Sequence, residues 1–263
     1  MATNKIPVGL ELYSVRKTLA NDLEGTLAAV KSYGYEAVEF AGNPQYEAKR
    51  TADALKANGL YCCSWHVPYD ALLSSDEKLK ETIEFHKAVG NNYLIIPWMP
   101  EDWMNTLDAI KKTGEKLDKL SEKLAAYGMY TGYHNHNAEF KPMEGSGLTI
   151  WSAIRENTNA DFVMQLDTGN ALSGDADVNG ELLKAAGRSQ IVHLKPYSRV
   201  NKYATMIGND DDDIDYKTIL AFCKERGGTH IYVIEYESEE LYSDMEGVKI
   251  AIAQLKAKFG ELL

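Results

Sequence analysis

The stretch Leu23–Glu24–Gly25–Thr26–Leu27–Ala28–Ala29–Val30–Lys31–Ser32–Tyr33–Gly34–Tyr35–Glu36–Ala37–Val38–Glu39–Phe40 carries the pattern on which the fold turns. Leu23, Leu27, Val30 and Tyr33 recur at helical spacing, so one face of a helix is apolar. Gly34 ends that helix, because glycine takes the left-handed conformation of a helix terminus at little cost. Ala37–Val38–Glu39–Phe40 then reads as a strand.

The same unit recurs along the chain. Residues 55–59 lead into a β-rich run at 60–66, residues 85–90 into 93–97, and residues 120–128 into 129–134. Residues 154–159 lead into 162–167, residues 182–187 into 191–195, and residues 219–228 into 230–236. Val8–Gly9–Leu10–Glu11–Leu12–Tyr13 precedes them all, which makes eight strand candidates. Strands that alternate with helices pair in parallel through right-handed crossovers. Eight such units in 263 residues match a closed barrel. The expectation is a single (β/α)8 TIM barrel over residues 1–263, with a last helix over 245–255; an open doubly wound sheet is the alternative.

Composition narrows the function classes. Hydrophobic residues make up 44% of the chain, enough for a large core, and the formal net charge is −11. No run of Lys and Arg offers a phosphate-binding stripe, which argues against nucleic acid and anionic membranes as partners. Cys62, Cys63 and Cys223 are too few and odd in number for a disulfide framework, and the adjacent pair would point to opposite faces of a strand. Residues 1–7 lack an apolar leader core, and no stretch approaches the ~20 apolar residues that span a bilayer. A cytoplasmic protein is expected. The acidic residues 210–213 read as a solvated loop whose carboxylates nothing fixes, within a rim segment at 197–214 that lacks a clear element.

Most of the strands finish in ionisable residues: Glu11, Glu39, His66, His134 with His136, Asp167, His193 with Lys195, and Glu235 with Glu237. In a barrel these ends converge on one pocket. Buried charges are costly unless paired or bound to metal. Taken singly, each has an ordinary role. Glu11 and Glu39 suit an internal ion pair or a pocket role, His66 a core histidine, and Trp65, Tyr133 and Trp98 packing, although aromatic faces also stack on sugars. Asp167, His193 and Glu235 together supply two carboxylates and an imidazole, a mixture for Mn, Co, Mg, Zn or Fe rather than a thiolate site. The run Tyr133–His134–Asn135–His136–Asn137–Ala138–Glu139–Phe140 offers His134, His136 and Glu139 as a fourth ligand.

At these residues the chain resembles the xylose-isomerase-like sugar phosphate isomerase/epimerase superfamily, whose members include ketose 3-epimerases, hydroxypyruvate isomerase, inosose dehydratase and an apurinic-site endonuclease. The likeness spans nearly the whole chain. It rests on Gly9–Leu10–Glu11–Leu12–Tyr13–Ser14–Val15–Arg16, Val38–Glu39–Phe40–Ala41–Gly42, Tyr133–His134–Asn135–His136 with Glu139–Phe140, Leu166–Asp167–Thr168, His193–Leu194–Lys195 and Ile214–Asp215–Tyr216. The resemblance implies metal ligands in the order Glu, Asp, His, Glu from strands five to eight. Asp167, His193 and Glu235 match. The first Glu is replaced by histidines at the strand end, so the role passes to Glu139, with His136 as the alternative. The resemblance also implies substrate contacts at Asn170, three beyond the strand-six Asp, and at Arg199, six beyond the strand-seven His. The endonuclease branch needs further zinc ligands that this chain lacks: strand four has no His, and Asn170 replaces one.

The implied chemistry is isomerisation or epimerisation of a sugar through an enediolate stabilised by a divalent metal ion (Mn, Co, Mg or Zn). Glu139 and Glu235 would double as ligands and acid/base groups, with His136, His134 or Lys195 assisting. Trp65, His66 and Tyr133 would line the pocket. A dehydratase or lyase acting on keto-sugars or inososes is the alternative, and a non-catalytic sugar-binding relative a third. No phosphate-binding cluster appears in the last two strand–helix loops, so a phosphorylated sugar is not implied. A homo-oligomer is compatible with the sequence.

Overall fold

The computed structural model describes residues 5–238 and 240–263. Residues 1–4 of the polar start lie outside the described residues. The eight expected strands are present: β1 (Val8–Glu11), β2 (Ala37–Ala41), β3 (Tyr61–His66), β4 (Tyr93–Ile96), β5 (Tyr130–His134), β6 (Val163–Asp167), β7 (Ile191–Leu194) and β8 (Ile231–Ile234). Each pairs in parallel with the next, and β1 pairs with β8, so the sheet closes into a barrel. The open-sheet alternative is thereby excluded.

The opening stretch behaves as its pattern requires. Asp22 caps the helix Leu23–Tyr33 by accepting a hydrogen bond from Gly25 N, and Gly34 ends it at φ 101°. Leu23, Leu27 and Val30 are buried against the barrel. The last helix, Asp244–Phe259, is longer than its apolar spacing suggests and packs beside that first one.

Side chains alternate between two cores. Those pointing out of the strands meet the helices in one large cluster. Those pointing in fill the lower barrel with Ala37, Cys63, Ile95, Val163, Ile191, Ile231 and Val233. Cys62 faces the outer cluster and Cys63 the inner one, and all three cysteines are free and buried.

One irregularity decides what reaches the mouth. Val38 pairs with Cys62 but Glu39 pairs with Ser64, so Cys63 is an extra residue in β3. Such a bulge places two successive residues on one side and inverts the alternation beyond it. His66 therefore turns into the barrel and Trp65 turns out, where it stacks on Phe40 with ring centroids 4.4 Å apart.

The rim segment after β7 corrects one expectation. The acidic run there is not simply solvated. Asp212 accepts hydrogen bonds from the backbone N–H of Tyr197, Gly208 and Ile214 and so folds the loop around itself. Asp211 accepts from Asn201 and Thr205, and Asp213 from Arg199 N. No helix among the described residues is long and apolar enough to cross a membrane.

Candidate metal centre

Asp167 ends β6 and also caps the short helix Thr168–Ser173. Its Oδ1 accepts from Asn170 N at 2.6 Å, and its own N–H donates to Asn135 Oδ1 at 2.9 Å. Capping uses one carboxylate oxygen. The other, Oδ2, is buried without a hydrogen-bond partner and lies 3.9 Å from His193 Nδ1. Leaving a buried acceptor unsatisfied costs about 1–3 kcal/mol, which a cation would relieve.

His134, His193 and Glu235 surround that oxygen. With Asp167 they offer four ligand atoms within 4.8 Å of one another. They come from the ends of β5, β6, β7 and just past β8, where inward parity aims them at one point. His193 Nδ1 lies 2.7 Å from Glu235 Oε2, and its Nε2 lies 2.7 Å from Glu39 Oε1. Lys195 Nζ donates to Glu235 Oε1 at 2.9 Å and also to Glu237.

A second group, Glu11, Glu39, His66 and again His193, is equally compact. Its Glu39 is already committed, however. That carboxylate accepts from Gln165 Nε2 at 2.7 Å and faces the ring nitrogens of His193 and His66. Each set holds one buried carboxylate oxygen without a partner, Glu11 Oε2 in this one and Asp167 Oδ2 in the first. The set around Asp167 fits a cation better because it does not depend on the committed Glu39. Two imidazoles and two carboxylates suit Mn, Co, Zn or Fe, and carboxylate oxygens also suit Mg.

In the ion-free protein His193 carries the positive charge at this point, and a bound cation would displace its proton. Burial pushes the Asp167 carboxyl up to about 8. Burial, with Glu39 beside it, likewise holds Glu11 well above the usual carboxylate range. Burial opposes ionisation of Glu235 too, but Lys195 and His193 hold it well below its ordinary value. His193 would be lowered by burial, yet Glu39 and Glu235 raise it to about 10. His134, lowered by burial and by the neighbouring His66, His193 and His136, falls well below its ordinary value and stays neutral, as a ligand must. The mouth thus collects more carboxylates than its cations neutralise.

The structure brings most of the expected residues together and sets several apart. Glu11, His66, His134, His136, Glu235 and Glu237 line one cavity of about 570 Å3, with Tyr13 and Trp98 at its edge. Lys195 lies behind Glu235. Glu139 is a correction: it is turned away, accepting from Tyr133 OH at 2.9 Å and from His136 N at 2.8 Å, and it belongs to none of the compact ligand groups among the described residues. Tyr133, expected to line the pocket, is spent on that contact on the outer side of β5. Trp65 is excluded from the pocket by the bulge, and Trp98, 51% exposed, stands at the mouth instead. Asn170 is buried behind Asp167, accepting from Tyr203 OH at 3.0 Å. Arg199 points its largely exposed side chain at Asp175.

Two further positions receive no role from the sequence. Asn135 ties the end of β5 to Asp167 through its side-chain amide. Gln165 sits one inward position below Asp167, its Oε1 2.7 Å from His66 Nε2 and 3.0 Å from His134 Nδ1. Its one signal is a polar residue at inward parity in the apolar run Phe162–Val163–Met164–Gln165–Leu166.

A family model described as a xylose isomerase-like TIM barrel matches residues 27–258. The chain belongs to that family. Among solved structures, this xylose isomerase-like barrel is similar to a sugar phosphate isomerase/epimerase from Parabacteroides distasonis (23% identity, 98% of this chain and 96% of that one, TM-score 0.81). It is also similar to an L-ribulose 3-epimerase (19%, 98% and 96%, TM-score 0.71) and to an IolI protein described with a bound zinc atom (14%, 98% and 99%, TM-score 0.71). At these identities the likeness is one of fold. No curated protein matches the chain by sequence.

Proposed function

We propose that this protein is a divalent-metal-dependent sugar isomerase or epimerase that moves a proton next to a carbonyl. The observation that carries this is the buried Asp167 Oδ2, unsatisfied among His134, His193 and Glu235. His134, Asp167, His193 and Glu235 would hold the ion, so the strand-five ligand is His134 rather than Glu139 or His136. Bound there, a divalent cation supplies Lewis acidity to a carbonyl and its neighbouring hydroxyl.

The chain's own residues handle the proton. Glu235 reaches the cavity from β8 and Glu11 from β1, opposite His134 and His136 from β5. A carboxylate on one side and an imidazole on the other can take a proton from one face of a carbon and return it to the other or to its neighbour. Lys195 fixes Glu235 in place. No Lys or Arg is among the described residues lining the cavity, which favours a sugar without phosphate. Reduced, buried cysteines suit a cytoplasmic setting.

One observation favours a second reading, elimination of a β-substituent from a keto-sugar. The cavity extends past the ligand cluster to the exposed rings of Tyr13 and Trp98, which leaves room for a leaving group. Incubation of metal-loaded protein in D2O with ketoses and with 3-keto-glycosides separates the two. Deuterium next to the carbonyl without loss of any group supports the first. Release of water or an aglycone supports the second. An absence of stoichiometric metal in every wild-type preparation sinks both.

A further inference from the structure

The two imidazoles at the candidate metal centre present different nitrogens to it. His193 turns Nδ1 toward Asp167 and Glu235, and its Nε2 faces Glu39. His134 turns Nδ1 toward Gln165 and leaves Nε2 for the centre. A histidine can ligate only through a nitrogen that carries no proton, and the hydrogen bond at the other nitrogen sets which one that is.

Following the donors and acceptors outward leads to a single residue. An ionised carboxylate only accepts hydrogen bonds. Glu39 Oε1 lies against His193 Nε2 at 2.7 Å and His66 Nε2 at 2.9 Å, a carboxylate set between two ring nitrogens. Its Oε2 lies 2.7 Å from Gln165 Nε2, so the Gln165 amide must place its NH2 there. Gln165 Oε1 must then face the two rings beside it, 2.7 Å from His66 Nε2 and 3.0 Å from His134 Nδ1. An amide oxygen only accepts as well, so His134 carries its proton on Nδ1. On its other side Glu39 Oε1 accepts from His193 Nε2 at 2.7 Å, which keeps that proton away from the centre.

We infer that Glu39 is the positioning residue of the metal centre: directly through His193, and through the Gln165 amide for His134, it sets the tautomers of both ligating imidazoles. The inference rests on the cation site proposed above. Glu39 comes from β2, across the barrel from the ligand strands; it is not one of the four proposed ligands and does not itself line the cavity.

The near-isosteric Glu39→Gln variant tests this, because an amide has one acceptor where the carboxylate had two. If the new NH2 faces Gln165, that amide must rotate, and His134 must accept at Nδ1 and carry its proton on Nε2. If the new NH2 faces His193, that ring must carry its proton on Nδ1. Either way one imidazole points a proton at the centre. Zinc and cobalt(II) affinities, measured by chelator competition, should fall about 10–100-fold. On the zinc-loaded protein, two-bond 1H–15N spectra should show protons on His134 Nδ1 and His193 Nε2 in the wild type, and one of the two moved in the variant.

The double variant Glu39→Gln/Gln165→Glu exchanges amide and carboxylate and restores the same order of donors and acceptors. It should recover affinity to within a few-fold of wild type and return both tautomers. Equal affinity of wild type and Glu39→Gln, or a double variant no better than the single one, overturns the relay while leaving the metal reading intact. Wild-type protein that binds neither zinc nor cobalt overturns both.

Discussion

The hydroxyl of Tyr133 donates to Glu139 Oε1 at 2.9 Å and holds that carboxylate on the outer side of β5, away from His134, its neighbour on the inner side. The other oxygen of Glu139 accepts from His136 N, so the side chain shapes the turn that follows the strand. Glu139→Gln should therefore leave metal content unchanged. It should cost about 1–2 kcal/mol of stability in a denaturant titration, since a buried charge-assisted hydrogen bond is weakened. Loss of metal in that variant, with the fold intact by circular dichroism, would return the ligand role to Glu139.

Asp167→Asn and Glu235→Gln should behave oppositely. Each keeps size and hydrogen-bonding capacity but removes the negative charge that faces the cation. Bound metal should fall below stoichiometry, and turnover should drop at least 100-fold, as expected when a Lewis-acid site is emptied. Chelation of the wild-type protein should lower its thermal midpoint, because an ion present at about 100 times its dissociation constant adds about 2.7 kcal/mol to the folded state. An unchanged midpoint after complete metal removal would contradict the site.

Gly132 lies on the inner face of β5, two residues before His134, and a Cβ there would come within 2.3 Å of Val163 O and 2.5 Å of Val163 Cβ. The obstacle is partly backbone, which cannot rotate away. Gly132→Ala should destabilise the barrel by about 1–3 kcal/mol or more through overpacking, and metal affinity should fall with it as β5 shifts against β6. Urea titration with and without zinc measures both effects.

His86 gives the acid limb of stability. The ring is buried edge-on to Trp65, and Nδ1 faces the side-chain amide of Asn91 at 3.1 Å. Burial lowers its pKa to about 4 from the ordinary 6.5. The unfolded chain therefore binds a proton between those values while the folded protein does not. His86 costs nothing above about pH 6.5, and stability is lost as pH falls from there toward 4, by up to about 3 kcal/mol at 1.36 kcal/mol per unit. His86→Phe should flatten that limb in melts of metal-free protein. An unchanged slope would show that different groups cause it.

The barrel is legible in the sequence because each helix–strand unit announces itself locally, as Leu23, Leu27, Val30 and Gly34 do before β2. Asp167, His193 and Glu235 stand out because an ionisable residue that ends an apolar strand is costly to bury without a partner. What the sequence hides depends on register rather than composition. The bulge at Cys63 exchanges the sides of Trp65 and His66, and nothing in Tyr61–Cys62–Cys63–Ser64 marks it. Glu139 departs from its expected place because a turn after β5 sends it outward, and sequence distance from the strand end says nothing of that direction. Asp212 reads as solvated because its partners are backbone N–H groups, which no side-chain pattern reveals. Gln165 is inconspicuous because its importance lies in which neighbours it meets across the barrel.

Glu39 and His193 are 154 positions apart, yet they share a 2.7 Å contact that exists only when the sheet is closed. A chain with β1 to β6 wound would already display Glu39, His134 and Asp167, but it would lack His193 and Glu235, which the last two strands deliver. Affinity for a cation at the proposed site would thus require the last two strands to be in place. An ion that binds only the finished ring acts on its lifetime: it slows opening and leaves the rate of folding nearly unchanged. The same four side chains that would serve chemistry would therefore act as a clasp on the fold.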